Sequence, residues 1–178
     1  MLRMSFALTA LLTGALSLAA EVTSSVQRQR VAVVHAPAWS QGDPAREGAA
    51  ELVVLLEIAR LRQAGGPGGL VGVGDRRGQF SAGAEAALQH AALMGVPVVK
   101  LARNGRVLPA PHGLFLDGGN LSEEEACQVL ARCLDRYGAP PKIAGVPVGE
   151  ADLARLRARL HPFQQELTLA ASVRVAVR

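Results

Sequence analysis

Three short apolar runs, each followed by a stretch with helical periodicity, constrain the fold of this chain more than any other feature. The runs are residues 30–35 (RVAVVH), 70–73 (LVGV) and 96–101 (VPVVKL). Continuous apolar runs of this length are typical of strands buried on both faces. Because strands alternate with helices, the pattern predicts a parallel sheet covered by helices. We therefore expect a small three-layer α/β domain, Rossmann-like, with three or four parallel strands flanked by helices.

The predicted helices carry recognisable start and stop signals. Asp43 followed by Pro44 is typical of a helix start, and the pattern predicts a helix to about residue 64. Its residues Leu52, Leu55, Leu56 and Ala59 share one face. Ser81 is a good N-cap for a second helix, which runs through residue 94 and is closed by Gly95.

The second half of the chain has the clearest helical pattern. Ser122 and Glu125 have the spacing of a capping box, and the helix behind them ends at Gly138. Its apolar residues recur at 3.6 spacing. Residues 114–116 are predicted to form a short extra strand. Another helix is expected over 150–161, ended by Pro162, and residues 173–178 alternate like an edge strand unless they form a loose tail.

The first twenty residues read as an export signal. Arg3 precedes an apolar stretch of about fourteen residues, which is the length of a signal-peptide core and short of the roughly 20 needed to span a bilayer. An uncleaved anchor or a buried N-terminal helix is the alternative. The expected organisation is a signal peptide at 1–20, an α/β domain at 21–165 and a C-terminal tail or edge strand at 166–178. The predicted location is secreted or periplasmic, with no membrane contact after cleavage.

Composition argues against several classes of function. The formal charge is +4 and aromatic residues make up 3% of the chain, so neither the charge nor stacking side chains point to a nucleic-acid partner. Cys127 and Cys133 fall in one predicted helix, where six residues rise about 9 Å, too far for a disulfide. No metal-ligand spacing is present. We expect no cofactor, because residues 72–78 fit neither a dinucleotide fingerprint nor a P-loop.

Polar residues follow the predicted strands at the edge where parallel sheets bind ligands. The carboxyl ends of strands meet at one edge, and ligands of open α/β sheets bind outside it. Solvated loops are the plain alternative, since loops are polar in any case. The candidate ligand-binding residues are Asp75, Arg76, Arg77, Arg103 and Asn104. Ser81, by contrast, lacks the glycines of a nucleophile elbow and is interpreted as a helix cap.

The order of motifs from residue 69 to residue 137 resembles the C-terminal domain of bacterial L-asparaginases and glutaminase-asparaginases. That domain has a strand, a G-x-G loop, an amphipathic helix, a G-[VIT]-P/A-V-V strand, an S-S-R-like turn and a helix with an early alanine. With the flanking elements the resemblance covers about residues 30–165. The matching residues are Gly72, Val73 and Gly74; residues 95–99 (GVPVV); residues 101–103 (LAR); residues 105–107 (GRV); and Leu121, Ser122, Ala126, Leu130 and Leu134.

The chain departs from this family in the residues that carry its chemistry. The resemblance implies an N-terminal domain with catalytic threonines in T-G-G-T-I and T-D motifs, and neither motif occurs here. The chain's threonines are Thr9, Thr13, Thr23 and Thr168. The family's loop asparagine is replaced near Asp75, and Arg103 matches a turn arginine of the family that we interpret as structural.

Three hypotheses follow from these observations. The first is an exported binding or assembly module, or pseudo-enzyme, that forms a homo-oligomer or pairs with a chain supplying the catalytic half. The second is an amide hydrolase acting on asparagine or glutamine with partner residues; arginines beside a carboxylate would suit a small acidic amino acid or its amide. The third is a structural periplasmic domain.

Overall fold

The computed structural model describes residues 30–35, 44–63, 68–74, 79–101, 113–143 and 148–176. The strands are β1 (Val31–His35), β2 (Gly69–Val73), β3 (Val98–Leu101) and β4 (Leu116–Asp117), and the helices are α1 (Pro44–Gln63), α2 (Ala82–Leu93), α3 (Glu123–Tyr137) and α4 (Glu150–Ala176). The predicted signal peptide at 1–20 lies outside these ranges.

The four strands form one parallel sheet in the order β1-β2-β3-β4. Val31 pairs with Gly69, Leu70 with Val98, and Val99 with Leu116. The predicted α/β class and the parallel sheet are therefore confirmed. The fourth strand starts two residues later than predicted. The order is sequential, so among the described strands the sheet has no reversal point of the kind that opens a ligand crevice in doubly wound folds.

The helices form one layer on each face of the sheet. Side chains at successive strand positions point to opposite faces. A Cβ at Gly69 would lie 2.7 Å from Leu130 of α3, whereas one at Gly72 would lie 3.5 Å from Leu88 of α2. Since α1 packs on α2, α1 and α2 form one layer. On the other face α3 packs on the sheet, and α4 packs on α3 and β4.

The helix α3 forms as its sequence predicts. The Ser122 hydroxyl accepts a hydrogen bond from the Glu125 N–H at 3.2 Å, and the Glu125 carboxylate accepts one from the Ser122 N–H at 2.7 Å. This capping box satisfies N–H groups that the first helical turn leaves free. The stripe from Ala126 to Leu134 is buried, Cys133 included, and Gly138 ends the helix with a positive φ.

The helix α1 forms where it is predicted, and the structure shows which of its apolar sides is buried. The core side of α1 consists of Val54, Ile58 and Leu61, each at most 3% exposed. The residues predicted to share a face point to solvent together: Leu52, Leu55 and Leu56 are 56%, 39% and 60% exposed. The helix is apolar on two opposite sides, so periodicity alone could not choose which side meets the sheet.

The prediction that Pro162 ends the last helix is wrong. The helix α4 continues through Pro162 to Ala176, which replaces the tail or edge strand predicted for 166–178. An interior proline costs about 3 kcal/mol. Beyond it, Phe163 and Leu167 are each 1% exposed, and burying each is worth about 1.5–3 kcal/mol. Packing therefore outweighs the proline, and the core extends beyond residue 165.

The edge of β4 is covered by a side chain of α4. The Asp117 N–H donates to Gln164 Oε1 at 2.8 Å, and Gln164 Nε2 donates to the Asp117 carbonyl at 3.0 Å. The amide of Gln164 thus makes the two hydrogen bonds that a neighbouring strand would make. This pairing protects the exposed edge of a short strand.

Candidate functional site

The carboxyl edge of the sheet gathers strand ends and helix starts, as the fold class requires. Val73 lies between its partners His35 and Leu101, and the Gly74 N–H donates to the Leu101 carbonyl at 3.1 Å. The strands that precede Asp75 and Arg103 thus end side by side. The candidate residues Asp75, Arg76, Arg77, Arg103 and Asn104 themselves lie outside the described residues, so the ligand site at this edge stays a prediction.

An ion pair at this edge joins β1 to α3. His35 Nε2 lies 2.9 Å from Glu123 Oε2, and the two side chains are 51% and 44% exposed. The start of α3 positions Glu123, and the end of β1 positions His35. A pair this exposed contributes at most about 1 kcal/mol. The pair is open to solvent, and it needs a ligand or partner to become a site.

A second ion pair is buried, and sequence reasoning missed it. Lys100 Nζ lies 2.6 Å from both carboxylate oxygens of Glu85. The lysine side chain is 10% exposed and the glutamate side chain 26%. The ammonium also lies 5.1 Å and 4.1 Å from the ring centroids of Phe80 and Phe115, within the range of cation–π attraction. A single lysine in an otherwise apolar strand was the available signal.

The Lys100 pair holds parts of the fold that are distant in sequence. Gly72 is the strand neighbour of Lys100, so both residues face the α1–α2 layer. Glu85 lies in the first turn of α2, and Phe115 directly precedes β4. The ammonium is occupied by the carboxylate and the two rings. Its arrangement suits a clamp between β3 and the start of α2 better than a free base or nucleophile.

Two nucleophilic side chains of the described segments, Cys133 and Ser81, are held in unreactive surroundings. Burial, with the nearby Glu166 carboxylate, raises the pKa of Cys133 to about 11, so the thiol stays protonated at neutral pH. Ser81 is buried and its hydroxyl accepts a hydrogen bond from the Ala84 N–H at 3.3 Å, which confirms it as a helix cap. In the described ranges, no three His, Cys, Asp or Glu side chains are placed to hold a metal ion.

A shallow groove lies between the turn after β4 and α4. Its volume is about 280 Å³, and its lining includes Asp117, Asn120, Gln164 and Thr168. The amide of Gln164 is engaged with Asp117, and the Thr168 hydroxyl donates to the Gln164 carbonyl at 2.8 Å. The side chains of Gln164 and Thr168 are therefore engaged in hydrogen bonds within the fold.

The largest unexplained feature is the outer face of α1, formed by Leu52, Val53, Leu55 and Leu56. Val53 is 49% exposed, and the other three are exposed to a similar degree. Ala49 and Ala59 extend the same exposed surface toward the two ends of the helix. Contiguous exposed apolar patches of a few hundred Å² are often functional, so this face is a candidate interaction surface.

Comparison with protein-family models, curated proteins and solved structures found no match for the chain. In the part of the chain that the structure describes, no helix is long and apolar enough to cross a membrane.

Proposed function

We propose that this chain is an exported, non-catalytic assembly domain of the asparaginase C-terminal type, which docks a protein partner through the outer face of α1. The observation that carries the proposal is the exposure of Leu52, Val53, Leu55 and Leu56 on a helix whose opposite side already lies in the core. A helix in a monomer needs one apolar face. A second apolar face on the same helix is explained by a partner protein that covers it.

The distribution of reactive groups supports a role without chemistry of its own. Thr168 is the threonine of the described segments, and its hydroxyl is hydrogen-bonded within α4. Lys100 is neutralised by Glu85, and the Cys133 thiol is protonated. The observed strand and helix order is compatible with the resemblance to the asparaginase domain, which remains part of the proposal.

In-cell photocrosslinking tests the docking surface. A benzophenone-bearing amino acid replaces Leu56 in one variant and Leu169 in the other; these leucines are 60% and 63% exposed. Leu169 lies on α4, in the opposite helical layer, so it is a matched control. We expect a discrete crosslinked species from position 56 and none from position 169. If neither position crosslinks, or both do equally, the docking proposal is wrong.

The absence of catalysis is tested on the purified chain. The alternative from the sequence, an amide hydrolase, requires ammonia to be released from asparagine or glutamine. We expect no release above the rate of a heat-denatured sample. Turnover that depends on an added partner chain would favour the amide hydrolase instead, and turnover by the chain alone would exclude a non-catalytic role.

A further inference from the structure

We propose that the partner on the outer face of α1 is the α1 helix of a second copy of this chain, packed antiparallel about a two-fold axis. The inference rests on the assembly function proposed above and specifies its partner. It is carried by the residue pattern of α1, by the exposed area and by the charges at the rim of the face.

The pattern along the face reads the same in both directions. Gly48, Leu52, Leu55 and Ala59 follow one another at spacings of four, three and four residues, the spacing of a seam between two packed helices. The order is small, large, large, small. An antiparallel two-fold axis between Leu52 and Leu55 places Leu52 of one copy against Leu55 of the other. The same axis places Gly48 against Ala59, which lets the helix ends approach closely.

The end of this seam has room for another helix. A Cβ built at Gly48 would have nothing within 4 Å, so the described part of the chain does not fill the space beside the first turns of α1. A two-fold interface uses the same patch on both subunits. A palindromic seam meets that requirement, whereas an unrelated partner would have no reason to match it.

The exposed area is of the size that a dimer core needs. The four large side chains of the outer face expose surface on the order of 300 Å² per copy, in the range of functional apolar patches. A standard interface buries about 800 Å² per partner, with an apolar core and a polar rim. The helix has 20 residues and is about 30 Å long, so the small and polar residues around the leucines can supply such a rim.

The rim does not oppose pairing of like with like. Arg60 Nε donates to Glu57 Oε2 at 2.7 Å within the same helix, so these two charges neutralise each other in each copy. Glu51 lies exposed at the opposite rim, where its charge stays in water. Charged residues at the edge of an apolar core are the usual anatomy of an interface.

Light scattering combined with size-exclusion chromatography on the full purified chain tests the second copy. We expect a dimer, and we expect Leu52→Glu and Leu55→Glu each to raise the dissociation constant about 30-fold or more. Leu169→Glu, which charges a leucine of similar exposure on α4, should leave the dimer unchanged. Far-ultraviolet circular dichroism checks that each variant is folded.

A charge exchange tests the antiparallel register. Leu52→Lys and Leu55→Glu should each weaken the dimer alone. The dimer has two contacts between position 52 of one copy and position 55 of the other. When the two variants are mixed, one of these contacts becomes a lysine–glutamate pair and the other keeps two leucines. A heterodimer should therefore form more tightly than either homodimer. Failure of the mixture to associate while each variant alone is weakened would overturn the antiparallel arrangement.

The second-copy inference and the assembly function can fail separately. If the wild-type chain is monomeric at its highest soluble concentration, or if Leu52→Glu leaves a dimer intact, the second copy is wrong. In-cell crosslinks from position 56 at a mass other than twice that of the chain would also overturn it, while leaving the assembly function standing. If position 56 gives no crosslink, both proposals are wrong.

Discussion

The helices α3 and α1, one from each helical layer, differ in what they leave exposed. In the α3–α4 layer, α3 buries one stripe and carries charged residues such as Glu124 and Arg132 on its exposed side. In the α1–α2 layer, α1 buries Val54, Ile58 and Leu61 and exposes Leu52, Leu55 and Leu56 on the other side. The comparison teaches that the apolar face of α3 is accounted for by its own sheet, whereas α1 also carries an apolar face that the described part of the chain leaves exposed.

Truncating one leucine from each layer should give the largest contrast. Leu130 of α3 is fully buried and packs against the strand at Gly69, so Leu130→Ala should lower the free energy of unfolding by about 2–5 kcal/mol. Leu56→Ala removes a side chain that is 60% exposed and should cost less than about 0.5 kcal/mol. Urea unfolding followed by circular dichroism, at a concentration where light scattering shows the chain to be monomeric, measures both. Similar losses would mean that the outer face is packed within one chain.

The buried ion pair that ties α2 to the sheet gives the next largest effect. Glu85→Gln leaves the Lys100 ammonium buried without its carboxylate and should cost about 2–3 kcal/mol, less than a fully buried pair because Glu85 is partly exposed. Lys100→Met combined with Glu85→Gln should restore at least half of that loss. The control is Glu123→Gln, which removes the exposed partner of His35 and should change stability by less than about 0.5 kcal/mol. Equal losses from the two glutamate variants would contradict the clamp.

The α3 helix shows why part of this fold was predictable. Its capping box, its stripe from Ala126 to Leu134 and its end at Gly138 are all local signals, and the structure confirms each of them. The end of α4 was not predictable in this way. The proline rule is local, but the burial of Phe163 and Leu167 that overrides it depends on where α4 lies against α3 and β4.

The candidate sites, like the helices, divide into features that local sequence predicts and features that depend on tertiary packing. The sequence indicated that Leu52, Leu55 and Leu56 share a face, but only the packing shows that this face points outward. Lys100 and Glu85 are 15 residues apart and meet because strand register and helix position bring them together, which no local pattern encodes. The charged loop residues from Asp75 to Arg77 lie outside the described ranges, and their role as a ligand site is still a prediction.

The pH dependence of the free energy of unfolding should show whether the Cys133 thiol is buried in the α3–α4 layer. Burial raises its pKa from 9.0 to about 11, so the folded state keeps a proton that the unfolded state releases between these values. The stabilisation is complete below pH 9 and is lost as the pH rises toward 11, with about 1 kcal/mol lost by pH 10. Urea unfolding from pH 8 to pH 10 measures it.

Cys133→Ala provides the control for that pH dependence. It should flatten the decline between pH 8 and pH 10, whatever its effect on stability at neutral pH. Burial and a hydrogen bond to Glu166 raise the pKa of Tyr137 as well, but from an ordinary value of 10.0, so its contribution to the decline begins at higher pH than that of the thiol. An unchanged slope in Cys133→Ala would show that the thiol is not buried in solution.

Helix capping should give the smallest effect, and here the two layers should behave alike. Ser122 begins α3 and Ser81 begins α2, and each hydroxyl accepts a hydrogen bond from an N–H three residues later, at 3.2 and 3.3 Å. Ser122→Ala and Ser81→Ala should each lower the free energy of unfolding by about 1 kcal/mol, and Ser122→Asp should retain most of the stability because aspartate also caps. Urea unfolding of the three variants measures this.

If Ser81→Ala cost nothing while Ser122→Ala cost about 1 kcal/mol, the α1–α2 layer would be the more loosely held of the two. The layers would then differ in internal order as well as in the apolar face that α1 presents to solvent.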